Sequence, residues 1–480
     1  MMRRSRKDSS RSPASKSDGQ SSRGHVPRGG CFRAGAKKDA TNLPSFGALR
    51  MCDARRRKER AERQMRTLCG TILAAAMAAQ GASAPEDFAR WVDPFVGTSA
   101  TGHTFPAACV PFGLVQAGPD TGNGSWDYCS GYRSEDATIC GFTQTHLNGT
   151  GCPDLGDVRI LPFTNSTRST CSTRLNINPI KKLSEIAEPG YYAATLDDGI
   201  KVEIAAAGHS AIYRISAREK LRLLVDCAYG IGGKNYAKTI TASNVKLDGK
   251  AGLSGRNHRR QWVERDYSFV VNFSRECAAV EELPKSEGVT APQYVFDFDV
   301  GESPLLIKVA LSAEGGVEEA ERNLAAEIPA WDFDAVRVAA HEKWNEVLGR
   351  ATIEGTDEQK KNWYTSLYHL FIQPNNIADA GKQPFYSTFS CWDTFRASHP
   401  LYTILCPEKV PGFVDSMLEQ GRRTGYLPIW TLWGHDNQCM IGTHSVPVIV
   451  DWFLKEVGEK SSSSRKDDKF HSPTPTRNSN

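Results

Sequence analysis

The sequence has no C-x-x-C pair and no zinc-like cysteine spacing, although it holds 13 cysteines, which argues against a structural metal cluster. It also lacks an apolar run of the roughly 20 residues that a helix needs to cross a bilayer. The candidate run, Leu68 to Ala79, is too short, so a stable membrane span is not expected. No internal repeat of solenoid period is visible. Positive charge is scarce in the part of the chain that could fold. The formal net charge is +4, but Met1 to Arg66 holds 19 Lys and Arg against 6 Asp and Glu, leaving 40 against 49 in the remainder. Such a neutral-to-acidic body offers no broad cationic face to a phosphate backbone, which excludes nucleic acid as the main partner and favours an uncharged ligand.

Apolar material is plentiful. Hydrophobic residues are 40% of the 480, and 10 Trp, 14 Tyr and 20 Phe supply large cores, so a length of this order implies about three domains. Residues 1–64 are rich in Arg, Lys, Ser and Gly without apolar periodicity and read as a disordered basic extension. Residues 65–84 then fit a signal peptide: Met65-Arg66, the apolar run, and the small-residue stretch Gly81-Ala82-Ser83-Ala84. An export signal behind a basic extension suggests that translation begins at Met51 or Met65 and that the product is exported. Ten cysteines follow the expected cleavage site; one or two disulfides are compatible with that number, and most of the ten read as small buried hydrophobes.

Between residues 85 and 330 the pattern is that of strands and turns. Tyr192, Ala194 and Leu196 alternate with polar neighbours, Asp198-Gly199 offers a type I′ turn, and Ile200, Val202 and Ile204 alternate again, which predicts a β-hairpin. Arg222–Cys227, Tyr267–Phe273, Tyr294–Val300 and Leu305–Leu311 repeat the theme and favour an antiparallel β-sandwich. From 331 to 456 the period becomes helical. One face carries Val336, Ala340, Trp344 and Val347; a second carries Trp363, Tyr364, Leu367 and Phe371, with Asp357 as N-cap. A third carries Val410, Phe413, Val414 and Met417, ending at Gly421, and a fourth runs from Met440 to Phe453 with a kink at Pro447. Residues 457–480 form a polar tail with no packing face.

Two clusters have the composition of a sugar site. The first runs through Trp126-Asp127 and the glycine-rich string His146-Leu147-Asn148-Gly149-Thr150-Gly151, where aromatic faces would stack on pyranose C–H groups; its plainer reading is core residues and turns. The second is Ser387-Thr388-Phe389-Ser390-Cys391-Trp392-Asp393-Thr394-Phe395-Arg396, where Asp393 and Arg396 beside Trp392 could bind paired hydroxyls; its plainer reading is an Asp N-cap. Gly434-His435-Asp436-Asn437-Gln438 reads most simply as another helix start.

Taken in order, Asp93-Pro94-Phe95-Val96-Gly97-Thr98, Trp126-Asp127, His146 to Gly151 and Ser387 to Leu401 closely resemble glycoside hydrolase family 92, over about Arg90 to Glu456. The resemblance implies a calcium-dependent exo-α-mannosidase with an N-terminal β-sandwich and a C-terminal (α/α)6 barrel, releasing mannose from glycans with inversion, α-1,2-linked mannose being the default. Carried over by position, Trp126 is the aromatic wall of a mannose subsite and Asp393 a carboxylate for sugar hydroxyls, with Asp127 and Trp392 as neighbours. Another (α/α)6 glycosidase would not explain the N-terminal motifs.

One departure follows from the same resemblance. An inverting glycosidase needs an acid and a base roughly 6.5–9.5 Å apart. In the family both lie in the later barrel, with most calcium ligands, and no counterpart follows Glu456. The expectation is an incomplete barrel, no hydrolysis by this chain, and apolar residues such as Trp452 and Phe453 left without partners. The alternative is a remnant that binds glycans without cleaving them.

Overall fold

The computed structural model describes residues 86–122, 126–164, 180–218, 220–233 and 235–457. The expected basic extension, leader and tail from 458 onward lie outside the described residues, as do Gly124 and Ser125.

Two antiparallel sheets make the N-terminal part. The first has seven strands, in the order 108–109, 116–120, 141–143, 159–164, 221–226, 293–298 and 279–282. The second has nine, in the order 240–247, 252–260, 264–273, 305–312, 210–216, 201–206, 191–196, 180–188 and 138–139. Leu161, Leu223 and Phe296 of the first pack against Ile204, Tyr213, Val271 and Val309 of the second in one buried core, which makes the pair a sandwich, as expected. The alternate residues of the nine-stranded sheet, Ala205, Ile212, Val270 and Ala310, face the other way and are covered by helices. The expected hairpin is present, Tyr191–Leu196 against Lys201–Ala206. Its turn is not type I′: Gly199 alone is left-handed, at φ +80°, and its N–H closes onto the Leu196 carbonyl at 3.0 Å. Asp198 instead accepts from the Ile200 N–H, which holds the chain in a longer loop.

Seven helices follow among the described residues, without a closed barrel: α1 Val317–Glu327, α2 Phe333–Leu348, α3 Asp357–Ile372, α4 Cys391–Thr394, α5 Ser398–Leu405, α6 Val410–Thr424 and α7 Ser445–Lys455. The helical periods locate α2, α3 and α6 well, and their ends correct the sequence reading. Thr356, not Asp357, caps α3, because its hydroxyl and the Gln359 side chain complete a capping box. α6 continues past Gly421 to a left-handed cap at Gly425, since Arg423 pairs back onto Glu419 within the last turn. Pro447 does not kink α7, because the helix begins at Ser445 and a first-turn proline has no intrahelical bond to lose. Trp452 also departs from expectation: it is buried with Val448 one turn away, and its indole donates to the Val457 carbonyl at 2.8 Å. Phe453 is exposed, together with Val450 and Leu454.

Sandwich and helices interlock at three places. Phe112, at φ +59°, leaves the first sheet and seats its ring among Phe371, Tyr386, Tyr402 and Phe413, with centroids 5.7–6.5 Å away. Its N–H donates to the Phe371 carbonyl, and its carbonyl accepts from Asn376, each at 2.8 Å. His209 donates from Nδ1 to Glu327 at 2.8 Å and from Nε2 to the Ala378 carbonyl at 2.7 Å. Burial lowers its pKa, but the Glu327 carboxylate more than offsets this and the imidazolium is favoured. Trp433 donates to the Asp266 carbonyl at 2.8 Å, and the Arg265 guanidinium lies 4.9 Å from its ring centroid. Behind it, Arg265 pairs with Asp154 at 3.2 Å and Asp157 at 3.1 Å, and Arg259 reaches Asp157 at 3.5 Å, all four side chains being fully buried.

Truncating Phe112→Ala removes the ring from a closed aromatic socket and is expected to cost about 3–5 kcal/mol of unfolding free energy, measured by urea titration. A loss below about 1 kcal/mol would show that the socket collapses without it.

Candidate functional site

A cavity of about 400 Å³ opens where the sandwich loop Asn148–Gly151 meets α3, α4 and α5, within the size range of roughly 300–1,000 Å³ common for small-molecule sites. The loop is tied down by the Gly149 N–H, which donates to the His103 carbonyl at 2.7 Å. Gly149 needs its left-handed φ of +70°, and a Cβ at Gly151 would come within 3.3 Å of the Trp126 indole nitrogen.

The opposite wall comes from the segment 387–402. Phe389–Ser390 pairs with Trp430–Thr431 as a short strand ladder, and the Cys391 N–H bonds the Ile429 carbonyl at 3.0 Å. That ladder carries the chain through Thr388, a β-branched residue at φ +65° whose conformation is costly and is held by its neighbours. The Ser387 hydroxyl accepts from the Gly434 N–H at 2.7 Å, and the Phe389 N–H donates to the Thr431 hydroxyl at 3.3 Å. Asp393 follows one helical turn later on the cavity wall, where its carboxylate accepts from the Ser390 hydroxyl. Tyr402 closes the floor by donating to the carbonyls of Leu370 at 2.8 Å and Gln373 at 2.9 Å. Nε2 of Gln373, Nε2 of His399, Oδ1 of Asn148 and both ring nitrogens of His369 are lining atoms without a protein hydrogen-bond partner. They are therefore available to a polar ligand.

Electrostatically the cavity is mild. Burial among Phe389, Tyr402 and Phe413 pushes His399 down to about 4, so a neutral imidazole lines the wall. His369, also lining it, is lowered by burial, against the opposing pull of the Val96 carbonyl and Asp93. Asp393 is the only carboxylate among the described lining residues.

The expected site residues distribute unevenly. Asp393 lines the cavity, whereas Trp126 is not among its lining residues and stands beside Gly151 of the lining loop, with 54% of its surface exposed and edge-on to His103 at 4.6 Å. Asp127 lies close enough to His103 to raise its pKa, although burial lowers it by more. Trp392, on the outer side of α4, packs perpendicular to His444 at 5.2 Å. His146 belongs to the core: it is fully buried, with Nδ1 on the Gln116 carbonyl at 2.7 Å and Nε2 on Asp120 at 3.1 Å. Asp436 caps no helix; it accepts from Ile429 at 2.6 Å and Gln438 at 2.7 Å within a tight turn. Thr388, His399, Gln373, Tyr402 and Met440 also line the cavity. Nothing in their local sequence marks them, apart from the position of Thr388 and His399 inside the Ser387–Leu401 motif. Among the described residues no three His, Cys, Asp or Glu side chains converge as a metal site. Calcium takes about six to eight oxygen ligands, so the described cavity does not by itself make a calcium cage.

An antiparallel sandwich is thus locked to a helical domain, with a polar cavity at their junction. Residues 91–312 match the glycosyl hydrolase family 92 N-terminal domain and residues 319–472 the family 92 catalytic domain, and the chain belongs to that family. A family GH92 alpha-mannosidase from Bacteroides thetaiotaomicron, solved in complex with mannoimidazole, superposes with a TM-score of 0.72 at 27% identity, over 80% of this chain and 55% of that one. A family GH92 inverting mannosidase from Bacteroides thetaiotaomicron VPI-5482 superposes with a TM-score of 0.69 at 25% identity, over 80% and 55%. An uncharacterized secreted glycosidase of Arthroderma benhamiae is 26% identical over 353 residues, 65% of this chain and 45% of that protein. The chain thus spans about half the length of these relatives.

His399 gives the site a pH signature. Below pH 6.5 the unfolded chain binds a proton that the folded imidazole, at about 4, refuses. Its contribution is therefore complete above pH 6.5 and is lost as the pH falls towards 4, by at most about 3 kcal/mol. The thermal midpoint of His399→Phe should fall less than that of wild type between pH 7 and pH 4. Parallel profiles would show that another group governs acid lability.

Proposed function

We propose that the chain supplies the mannose-binding wall of an exported, exo-acting α-mannosidase that releases terminal mannose, α-1,2-linked by default, from N-glycan-type or mannan substrates with inversion. The observation that carries this reading is the cavity itself: one carboxylate, Asp393, faces partner-free Gln373 and His399 nitrogens across a space of about 400 Å³, with Trp126 beside the lining loop. A carboxylate accepts from paired sugar hydroxyls, the two nitrogens donate to or accept from others, and an indole covers the apolar ring face. Asp127 and Trp392 belong to the outer part of this surface. Family membership, the mannoimidazole complex of one structural relative and the inverting mannosidase title of another support mannose as the sugar and inversion as the stereochemistry. The secreted relative supports export.

A second reading has its own observation. Inversion needs two carboxyls across the glycosidic bond, and the described lining holds one. Asp154 and Asp157, which could otherwise have been considered, are locked onto Arg265 and Arg259 in the sandwich interior. In this reading the chain alone binds mannosides without hydrolysing them, and calcium, expected of the family, takes its ligands outside the described residues.

Incubation with α-1,2-mannobiose and calcium chloride is expected to release no mannose above the buffer blank. Mannose should perturb tryptophan fluorescence, and Asp393→Asn and Trp126→Ala should each weaken binding about tenfold or more. Robust release would overturn the non-hydrolytic reading; unchanged binding by Asp393→Asn would overturn the site.

A further inference from the structure

The turn that enters strand 210–216 carries a buried histidine whose two ring nitrogens both face acceptors in the helical part. Nδ1 of His209 lies 2.8 Å from the Glu327 carboxylate and Nε2 lies 2.7 Å from the Ala378 carbonyl, while the His209 backbone N–H also donates to Glu327 at 2.8 Å. A neutral imidazole has one ring N–H and would turn a bare nitrogen towards one of these acceptors; only the imidazolium satisfies both. Asn323, one turn earlier on α1, completes the clasp. It donates to the Leu311 carbonyl at 2.8 Å and to Asp379 at 3.0 Å, and it accepts from the Ala380 N–H at 2.8 Å. Among the described residues the charged groups facing His209 are Glu327 and, behind Ala378, Asp379, which is paired with Lys382 at 2.9 Å.

What is clasped is a hairpin that enters the cavity wall at both ends. Asn375–Asn376 pairs with Tyr386–Ser387, the Ile377 N–H donates to the Phe385 carbonyl at 2.8 Å, and Ala378 lies in the loop between. Gln373 and Pro374, directly before the hairpin, and Thr388, directly after it, line the cavity. We propose that His209, as the imidazolium, is a positioning residue that holds the hairpin 375–387 against the sandwich and so sets the cavity wall, which loosens as the pH rises. Loss of the proton to solvent removes one donor, and the Ala378 carbonyl is the acceptor that forfeits it, because the Glu327 carboxylate binds the remaining N–H more strongly. Burial disfavours the cation, but the Glu327 hydrogen bond and charge, the Ala378 carbonyl and Asp379 together outweigh it and hold the His209 pKa above the usual 6.5. The clasp is therefore complete below pH 6.5 and is lost as the pH climbs through the higher folded value, in the opposite sense to His399.

The test is hydrogen–deuterium exchange of the full chain between pH 6 and pH 9, corrected for the intrinsic exchange rate and followed on peptides spanning 375–390. Protection there is expected to fall about tenfold or more over this range in wild type, the scale of one charge-assisted hydrogen bond, while peptides from strands 221–226 and 293–298 change little. His209→Gln should remove the pH dependence, and Glu327→Gln should move it to lower pH. Asn323→Ala loosens the same loop without touching the titrating ring, so it should lower protection at every pH and keep the slope. The wild-type and Glu327→Gln profiles decide the matter even where His209→Gln fails to fold. A flat wild-type profile, a slope that survives in His209→Gln, or a slope unmoved in Glu327→Gln overturns the proposal, and none of these bears on mannose binding.

Discussion

The architecture depends on the seating of one ring. Phe112 leaves the sandwich in a left-handed conformation that a bulky residue adopts only at a cost, and it ends between α3, α5 and α6. Burial of an aromatic side chain against four others outweighs that strain, and backbone bonds to Phe371 and Asn376 fix the depth of insertion. The helices accordingly have no independent core. Their central cluster includes Phe105, Cys109 and Phe112 from the sandwich side, and the sandwich core in turn includes Ile377, Phe385, Trp430 and Trp433 from the helical side.

The cavity inherits its shape from that joint. Tyr402 touches Phe112 with one part of its ring and closes the cavity floor with its hydroxyl, so the ring socket and the floor share a residue. The Asn148–Gly151 loop reaches the helices only because the sandwich is held at this distance, and the strained Thr388 is supported by a ladder that itself packs on the sandwich through Trp430 and Trp262. The site is assembled from two sequence-distant halves, with the N-terminal and catalytic family matches both contributing wall residues.

The fold was legible in the sequence where one periodicity dominates. The hairpin 191–206 and helices α2, α3 and α6 follow from spacing of two and of 3.6, because each presents a single apolar face to a core. Ends were less legible, since Thr356, Gly425 and Ser445 are decided by side-chain capping and by what precedes the helix, not by its apolar stripe. Of the site, Asp393 was legible within a long motif. Gln373, just past the end of α3, was not, and His399, although inside the same motif, was not marked as a cavity residue, because a buried histidine on an apolar helix face looks the same in sequence whether its nitrogen meets a carbonyl or an open cavity. Trp452 misled for a related reason: the sequence shows an apolar residue but not which side of α7 finds a neighbour.

The buried quartet of Asp154, Asp157, Arg259 and Arg265 has an evolutionary corollary. Fully desolvated charges tolerate one another only as a set, so loss of Arg265 leaves Asp154 without its ion-pair partner and Asp157 with only the longer ion pair to Arg259, whereas exchanging the whole group for apolar residues of matched volume can be neutral. These four positions, an acid pair and an arginine pair more than 100 residues apart in the chain, should therefore drift together or not at all, and their joint state in a descendant would record a shared history that single-site identity hides.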